Sequence, residues 1–355
     1  METLALMSDM GHENVFYCHD ASTGLKAIIG IHDTTLGPAL GGCRMLPYAT
    51  EQEALIDVLR LSKGMTYKSS VAGIDLGGGK SVIIGDPVKN KSPDLMRRFG
   101  DFVQRLNGKY ITAEDMGTTV EDMNTIFERT KYVTGKSKEM GGSGNPSPLT
   151  AMGTFWGLKA ACKEAFGTDS VKGRRIAIQG VGSVGLKLAE MLHAEGAELT
   201  VTDTNAQAIE TAKSKFGAKS VPLDKIYEVD MDVFSPCARG AILNDATIKV
   251  LKARVVAGAA NNQLQDPDKH GKALKERGIV YAPDYVINAG GVINVFFELI
   301  GYDEEKSKER AKNIYNTIDK IIAMAKKQNI STHDAAQKVA EERIQAAKRQ
   351  NAAKA

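Results

Sequence analysis

A glycine-rich loop between a strand pattern and a helix pattern constrains the fold of this chain more than any other feature. The loop 180–185 reads Gly-Val-Gly-Ser-Val-Gly, follows the apolar run 176–178 and opens a helix pattern over 184–195. Asp203 closes the next strand pattern, about 20 residues further on. The string G-x-G-x-x-G alone is weak evidence, because a tight strand–helix turn also fits it. In this order of strand, loop, helix, strand and acid, it predicts a dinucleotide-binding Rossmann unit.

The same loop predicts which dinucleotide is bound. A pyrophosphate would lie at the helix N-terminus, where unpaired N–H groups and the helix dipole favour an anion. Asp203 would accept hydrogen bonds from the adenosine ribose and repel a 2′-phosphate. The next two residues, Thr204 and Asn205, supply no arginine to hold such a phosphate. The sequence therefore favours NAD over NADP.

The pattern of secondary structure changes at a Gly/Ser/Pro-rich segment, 141–148. Before it, strand and helix patterns are mixed; after it they alternate regularly, which is typical of a parallel doubly wound sheet. We therefore predict an α/β protein of two domains with a cleft between them. The first domain covers 1–140 and the Rossmann domain 141–329, and a C-terminal helix over about 330–355 packs back on the first domain.

Several shorter patterns predict individual elements. The runs 15–18 and 25–31 predict paired strands, and Thr50–Glu53 predicts a capping box at the start of a helix. If that helix continues, Met65 and Lys68 share one of its faces. A single long helix is predicted over 304–328.

Composition and charge exclude several classes of partner. The net charge of +3 is too small and too dispersed to suggest nucleic-acid binding. No apolar run approaches the roughly 18 residues that span a membrane, and the first residues lack the pattern of a signal peptide. The four cysteines are scattered, and the six histidines show no metal-ligand spacing. We expect a cytoplasmic protein with reduced cysteines, no metal, and neither nucleic acid nor membrane as a partner.

A lysine follows three glycines in the first domain. Gly77–Gly79 and Lys80 precede a β-branched strand pattern over 81–84. The ending Gly-Lys-Ser also closes a phosphate-binding P-loop, but Ile74 stands where that loop needs a glycine, and a P-loop lysine opens a helix. We expect the glycines to form a turn with positive φ that lets a ligand approach, and we expect Lys80 to have a chemical role.

Lys68 and Asp115 also lie at the ends of predicted elements. Taken singly, Lys68 and Lys80 have an ordinary interpretation as solvated lysines, and Asp115 as the cap of a helix pattern over 119–128. Next to a dinucleotide domain, the three together form a catalytic scheme that the ordinary interpretations do not explain.

Six stretches resemble the amino-acid dehydrogenases of the glutamate/leucine/phenylalanine/valine family. In chain order they are GPALGG (37–42), GMTYK (64–68), LGGGK (76–80), TAED (112–115), GAANNQ (258–263) and PDYVINAGG (283–291). They run through nearly the whole chain and are jointly very specific. The resemblance implies a reversible NAD-dependent oxidative deamination of an L-amino acid to a 2-oxo acid and ammonia. It also implies that the first domain binds substrate and forms a homo-oligomer, an octamer or a dimer.

The resemblance also implies roles for individual residues. Lys68 binds the substrate carboxylate, Lys80 acts on the carbonyl and its water, and Asp115 is the general acid/base; a lysine beside another cation loses its proton more easily. The positions that match substrate contacts are Leu40, Gly41, Gly42, Met65, Lys68, Ala113, Asn262, Val292 and Val295. Those that match cofactor contacts are Thr150, Gly180, Val181, Gly182, Ser183, Val184, Gly185, Asp203, Thr204, Ala238, Ala260, Asn262 and Asn288.

The pocket positions indicate the substrate side chain. They are apolar, which disfavours glutamate because burying an unpaired carboxylate is costly. Ala113 and Val292 resemble the branched-chain type, so leucine is the first choice, with valine and isoleucine as further substrates. Phe296 and Phe297 depart from the family pattern and leave phenylalanine or another aromatic amino acid as the alternative.

Two further questions stay open on sequence alone. Arg239 also departs from the family pattern, and it either touches the cofactor or reaches solvent. A catalytically silent, NAD-binding regulatory protein is an alternative from a different class. The intact set of Lys68, Lys80 and Asp115 argues against it.

Overall fold

The computed structural model describes residues 2–353, which fold into two compact units. The first contains the chain up to residue 145, together with 295–302 and the residues from 340 onwards. The second contains 146–294 and 303–339. Each unit has its own sheet flanked by helices, so the predicted two-domain α/β fold class is confirmed. Residues 354 and 355, the end of the predicted C-terminal helix, lie outside the described part.

The first unit is built on a five-stranded sheet of order β1-β2-β4-β3-β5. The strands are β1 Asn14–Asp20, β2 Leu25–Asp33, β3 Ala39–Leu46, β4 Gly77–Ile84 and β5 Tyr110–Glu114. The early helices are α1 Thr3–Met10, α2 Glu51–Val71, α3 Pro93–Arg105 and α4 Val120–Phe127. Strands β1 and β2 pair antiparallel, as predicted, whereas β3 runs parallel to both β4 and β5.

Helices cover both faces of this sheet. On one face, the apolar side of α2 packs against Ile28 and Val82. On the other, α3 and α4 bury a larger cluster around Phe99 and Tyr110. Alternation of side chains along β4 places Lys80 on the same face as Val82, beneath α2.

The three glycines before Lys80 do not form the predicted turn. Strand β4 already begins at Gly77, and none of the three has a positive φ. An added Cβ at Gly78 would overlap the Thr66 hydroxyl and the Ser62 carbonyl of α2, and one at Gly79 would lie 2.7 Å from the Tyr110 ring. Glycine is needed here because a helix and an aromatic ring pack directly on the strand.

Two other local predictions need correction. The Thr50 hydroxyl caps α2 by accepting from the Glu53 N–H, but the Glu53 carboxylate accepts from the Ala49 N–H, so the capping box is not closed. The single helix predicted over 304–328 is divided at Asn313 into two helices. Asparagine is a weak helix former, and here its backbone both ends one helix and begins the next.

The second unit contains a six-stranded parallel sheet of order β11-β10-β9-β6-β7-β8. The strands are β6 Arg175–Gln179, β7 Glu198–Thr202, β8 Lys219–Ser220, β9 Val233–Pro236, β10 Val255–Val256 and β11 Val280–Tyr281. The order reverses between β6 and β9, where doubly wound sheets bind ligands beyond the carboxyl ends of the strands.

The remaining helices follow in chain order. They are α5 Ser147–Phe166, α6 Ser183–Ala194, α7 Ala206–Phe216, α8 Asp245–Val250, α9 Pro267–Glu276, α10 Asp284–Ile287, α11 Gly290–Ile300, α12 Glu304–Lys312, α13 Ile314–Gln328 and α14 Thr332–Ala352. Among the described residues, no helix has both the length and the apolar character needed to cross a membrane.

Candidate active site

Lys80 and Asp115, both predicted to be catalytic, form an ion pair in the first unit. Lys80 lies within β4 and is almost fully buried, whereas Asp115 follows the last residue of β5. The Lys80 ammonium donates to Asp115 Oδ2. Gly42 of β3 makes room for the pair, because a Cβ there would lie 2.7 Å from the Asp115 Cβ. Glycine at this position therefore allows the acid to sit close to the sheet.

The surroundings of Asp115 keep it ionised. Burial raises the pKa of this carboxyl, but the positive charges of Lys80 and Arg44 and donated hydrogen bonds lower it below its ordinary value. Oδ1 accepts from Arg44 Nε at 3.0 Å and from the Met116 N–H at 2.6 Å. The carboxylate is thus held at both oxygens by the chain itself.

Sequence reasoning missed Arg44. It lies on β3, two residues after Gly42, and its guanidinium also donates to Asp57 of α2 at 3.0 Å. A signal for it was present in the sequence: an arginine lies in the strand pattern that directly follows GPALGG. Its contact with Asp115 depends on the strand order, which the local sequence does not reveal.

The helix segment that carries Met65 and Lys68 lies against the strand that carries Lys80. Both residues are half-buried on α2. Thr66, between them, is buried and packs directly on Gly78 of β4, two residues before Lys80. The two predicted cationic residues therefore belong to elements in direct contact.

The predicted pocket residues of the first sheet lie on neighbouring strands. Leu40 and Gly41 are buried on β3, and Gly42 pairs with Ala113 of β5. Val292 and Val295 lie three residues apart on α11, the first buried and the second half-buried.

The two phenylalanines that depart from the family pattern also lie on α11. Phe297 is buried, Phe296 is half-buried, and their rings meet edge to face at 5.6 Å. At least Phe297 is therefore shielded from solvent.

In the second unit, the loop 180–185 uses its three glycines in different ways. Gly180 has a φ of +95° and would place a Cβ 2.5 Å from the Ala238 Cβ, and a Cβ on Gly185 would overlap the Gly180 carbonyl. A Cβ on Gly182 would meet nothing within 4 Å. The first and third glycines therefore serve the turn and the packing of α6. The second leaves open space at the start of the helix, where a pyrophosphate would approach.

A cavity of about 430 Å³ adjoins this loop. Its lining includes Gly180, Thr204, Ala238 and Arg239, so the structure places Arg239 at the predicted cofactor site. Asp203 lines it too; its carboxylate accepts from the Val181 N–H at 2.7 Å and from the N–H two residues further on at 2.8 Å.

Two residues that line the same cavity each have a buried polar atom without a hydrogen-bond partner among residues 2–353. These atoms are Gln179 Oε1 and Thr202 Oγ1. Buried polar groups are nearly always paired in folded proteins, so these atoms fit a cavity that receives a polar ligand. Together with the open space at Gly182, they fit a dinucleotide.

The predicted cofactor residues from the later motifs lie in the same unit. Asn288 Nδ2 donates to Asn261 Oδ1 at 2.6 Å and to the Ala259 carbonyl at 3.1 Å, which ties GAANNQ to PDYVINAGG. Asn262 is exposed and takes a positive φ of 51°. Ala260 is buried, and its N–H donates to Pro236 at the end of β9.

Thr150 and the remaining loop residues complete the predicted set. Thr150 lies in the first turn of α5, and a Cβ on Gly291 would be 3.2 Å from its hydroxyl oxygen. Ser183 and Val184 form the first turn of α6, whose N-cap, Gly182, provides no side-chain cap.

Comparisons with known proteins agree with this geometry. Residues 12–132 match the Glu/Leu/Phe/Val dehydrogenase dimerisation domain, and residues 141–212 and 197–352 match the Glutamate/Leucine/Phenylalanine/Valine dehydrogenase family. The chain is 57% identical over 345 residues to leucine dehydrogenase of Geobacillus stearothermophilus, over 97% of this chain and 94% of that protein. It is 50% identical over 356 residues to phenylalanine dehydrogenase of Caldalkalibacillus thermarum, over 99% and 96% of the two chains.

A solved structure has the same fold. The crystal structure of L-tryptophan dehydrogenase from Nostoc punctiforme matches with a TM-score of 0.88 and 47% identity, over 98% of this chain and 100% of that chain. The enzyme class predicted from the sequence, an amino-acid dehydrogenase, is confirmed by these matches. The chain belongs to the Glu/Leu/Phe/Val dehydrogenase family, as its motifs predicted.

Proposed function

We propose that the protein is a leucine dehydrogenase. It catalyses the reversible NAD-dependent oxidative deamination of L-leucine, and of valine and isoleucine, to the 2-oxo acid, ammonia and NADH. The observation that carries this proposal is a near full-length identity of 57% to a leucine dehydrogenase, against 50% to a phenylalanine dehydrogenase. An aromatic substrate, suggested by Phe296 and Phe297, therefore ranks second.

NAD is held by the second unit in this proposal. The uncapped N-terminus of α6 and the open space at Gly182 would hold the pyrophosphate, and Asp203 would bind the ribose. When bound, NAD accepts a hydride from the substrate Cα. Gln179 and Thr202 would offer the cofactor two buried polar atoms that have no partner among the residues described.

The first unit supplies the acid–base chemistry. Lys68 binds the substrate carboxylate. The Lys80 ammonium, buried at the sheet, would stabilise the oxygen that develops on Cα. Asp115 is an anion at neutral pH because its pKa is lowered, so it can accept a proton from the attacking water and return it to the amine that departs as ammonia. The direct contact of the two groups gives a proton a path between them.

Selection of the side chain rests on apolar walls. In the first unit, Leu40 and Ala113 are buried on adjacent strands. A pocket of this kind discriminates substrates that differ by one methylene by about 1–3 kcal/mol. Valine and isoleucine are therefore expected as slower substrates, and glutamate as a very poor one.

Self-association and location are also proposed. Because residues 12–132 match a dimerisation domain, the enzyme is a homo-oligomer, an octamer or a dimer; light scattering on the purified chain distinguishes the two. A cytoplasmic location agrees with the four cysteines, all of which are free thiols.

A substrate panel tests the proposal. Wild-type protein is incubated with NAD and L-leucine, valine, isoleucine, phenylalanine, tryptophan or glutamate, and NADH absorbance is followed. The highest kcat/KM is expected with leucine. A higher value with phenylalanine or tryptophan would replace leucine by an aromatic substrate. Absence of NADH with every amino acid would identify a silent NAD-binding protein.

A further inference from the structure

Arg44 connects the predicted catalytic acid to a second carboxylate. Its Nε donates to Asp115 Oδ1 and its Nη1 to Asp57 Oδ2, both at 3.0 Å. The Tyr48 hydroxyl donates to the same Asp57 oxygen at 2.7 Å. With Lys80 on Asp115 Oδ2, these five side chains form one continuous hydrogen-bonded row across β3, β4 and α2.

Little of this row is open to water. The side chains of Arg44, Asp57 and Asp115 are 18%, 23% and 19% exposed, and that of Lys80 is 6% exposed. Two cations and two carboxylates balance one another. Charge-assisted hydrogen bonds are stronger under such partial burial than on an open surface. Removal of Arg44 would leave Asp115 with Lys80, and Asp57 with Tyr48, as the remaining side-chain partners within this row.

The two oxygens of Asp115 have separate partners. Oδ1 accepts from Arg44 and from the Met116 N–H, whereas Oδ2 accepts from Lys80. Because two donors fix Oδ1, the carboxylate cannot rotate about its Cβ–Cγ bond without losing both. The other oxygen therefore stays directed at the lysine.

We propose that Arg44 is a positioning residue for the dehydrogenase reaction, which fixes the orientation and charge of Asp115 without contacting the substrate. This inference rests on the proposed function, in which Asp115 is the general acid/base. Asp57 and Tyr48 in turn fix the guanidinium of Arg44. Arginine suits the position because its planar fork reaches two carboxylates in two directions, whereas a lysine ammonium is a single point charge.

The test compares the pH dependence of turnover in variants of Arg44. In Arg44→Gln, kcat is expected to fall about 10²-fold or more, since a misplaced general acid/base forfeits most of its effect. The acidic limb of the kcat/KM profile moves to higher pH, because Asp115 has lost one of its two neighbouring cations. The affinity for NADH, measured by fluorescence titration, remains within about twofold of wild type. Arg44→Lys keeps the positive charge. Its kcat should be partly restored, and the acidic limb of its kcat/KM profile should lie close to that of wild type.

A matched control is Arg97→Gln on α3. Arg97 is likewise ion-paired, to Asp94 and Glu128, but it lies outside the row, and its replacement should leave both kcat and the profile unchanged. If Arg44→Gln does not fold, as judged by its thermal transition, Tyr48→Phe serves instead. It removes only one hydroxyl and should shift the acidic limb in the same direction by a smaller amount.

The outcomes separate two kinds of failure. A folded Arg44→Gln variant with wild-type kcat and an unmoved acidic limb would overturn the positioning role. If Arg44→Gln is unfolded, a pH profile of Tyr48→Phe that coincides with that of wild type would also overturn the positioning role. If the wild-type chain forms no NADH with any amino acid, the proposed function itself has failed before Arg44 is considered.

Discussion

The row of charges in the first unit and the loop of the second unit are built on opposite principles. Lys80, Asp115 and Arg44 satisfy one another inside the chain before any ligand is present. At the loop, Gln179 and Thr202 each have a buried polar atom without a partner in the described part of the chain, and Gly182 borders open space. The charged groups of the first region are therefore held in place before a substrate binds. The polar atoms of the second region would gain hydrogen-bond partners only when a ligand binds.

Glycine has a different purpose in each region. Gly78 is required because α2 packs directly against its strand, although its backbone is an ordinary strand. Gly182 has φ −74° and ψ −156°, values that other residues adopt, and nothing lies within 4 Å of the Cβ it lacks. A glycine in a glycine-rich motif thus allows close packing at Gly78 and leaves space for a ligand at Gly182.

The largest effect is expected for Lys80→Ala, which removes the preorganised cation. Turnover of L-leucine should fall about 10³-fold or more, because proton transfer and stabilisation of the developing oxygen are both lost. Binding of NADH should remain near wild type, since the proposed cofactor residues lie in the other unit. The control is Lys89→Ala, an exposed lysine of the same unit. Retained deamination by a folded Lys80→Ala protein would remove Lys80 from the mechanism.

Gly78→Ala tests whether the glycines of β4 are needed for packing. The added methyl would overlap the Thr66 N–H and hydroxyl and the Ser62 carbonyl, none of which can move without shifting α2. We expect the free energy of unfolding to fall by about 3 kcal/mol, at the upper end of overpacking effects. Thermal and denaturant unfolding measure it. An unchanged unfolding transition would show that α2 yields easily, and the ligand-approach explanation of this glycine would regain its place.

Gly182→Ala is the counterpart in the second unit. Stability should change by less than about 0.5 kcal/mol, because the methyl enters open space and the backbone conformation is permitted. Affinity for NADH should fall about tenfold, or about 1.4 kcal/mol, because the methyl takes up the approach path of the pyrophosphate. Gly64→Ala is the matched control, since a Cβ there also meets nothing within 4 Å. Equal NADH affinity in both variants would place the pyrophosphate elsewhere.

Features that depend on residues close together in the sequence could be predicted, whereas contacts between residues far apart in the sequence could not. The strand–loop–helix arrangement around 180–185 was predictable because its strand, turn, helix and acid follow one another closely in the chain, so local spacing encodes it. Arg44 was not, because it meets Asp115 only through the order β4-β3-β5, which places β3 between the strand that carries Lys80 and the strand that precedes Asp115. The glycines of β4 were misinterpreted for a related reason. A run of glycines can indicate a turn with positive φ or a strand on which a helix from a distant segment packs closely, and the sequence alone does not distinguish the two.

The last prediction concerns a buried histidine pair in the first unit. Burial and the charge of the other ring lower the pKa of His12 to about 4, and burial lowers that of His32 to about 4. Their rings meet edge to face at 4.8 Å, and they contact the Leu59 and Met10 carbonyls. Through these contacts the two buried histidines link α1 to α2.

Because the folded values lie below the unfolded value of 6.5, the unfolded chain binds more protons as pH falls. The contribution to stability is constant above pH 6.5 and is lost between 6.5 and about 4. At pH 5.5 the loss should be about 1 kcal/mol for each imidazole. Hydrogen exchange over 3–10 and 51–71 should accelerate in this pH range, while β6 and α6 serve as an internal reference.

The double variant His12→Gln with His32→Gln should flatten the pH dependence of stability, whereas His19→Gln, at an exposed position, should not. An equally steep loss in the double variant would assign the acid sensitivity to other groups, such as His333 in the second unit, whose pKa burial also lowers.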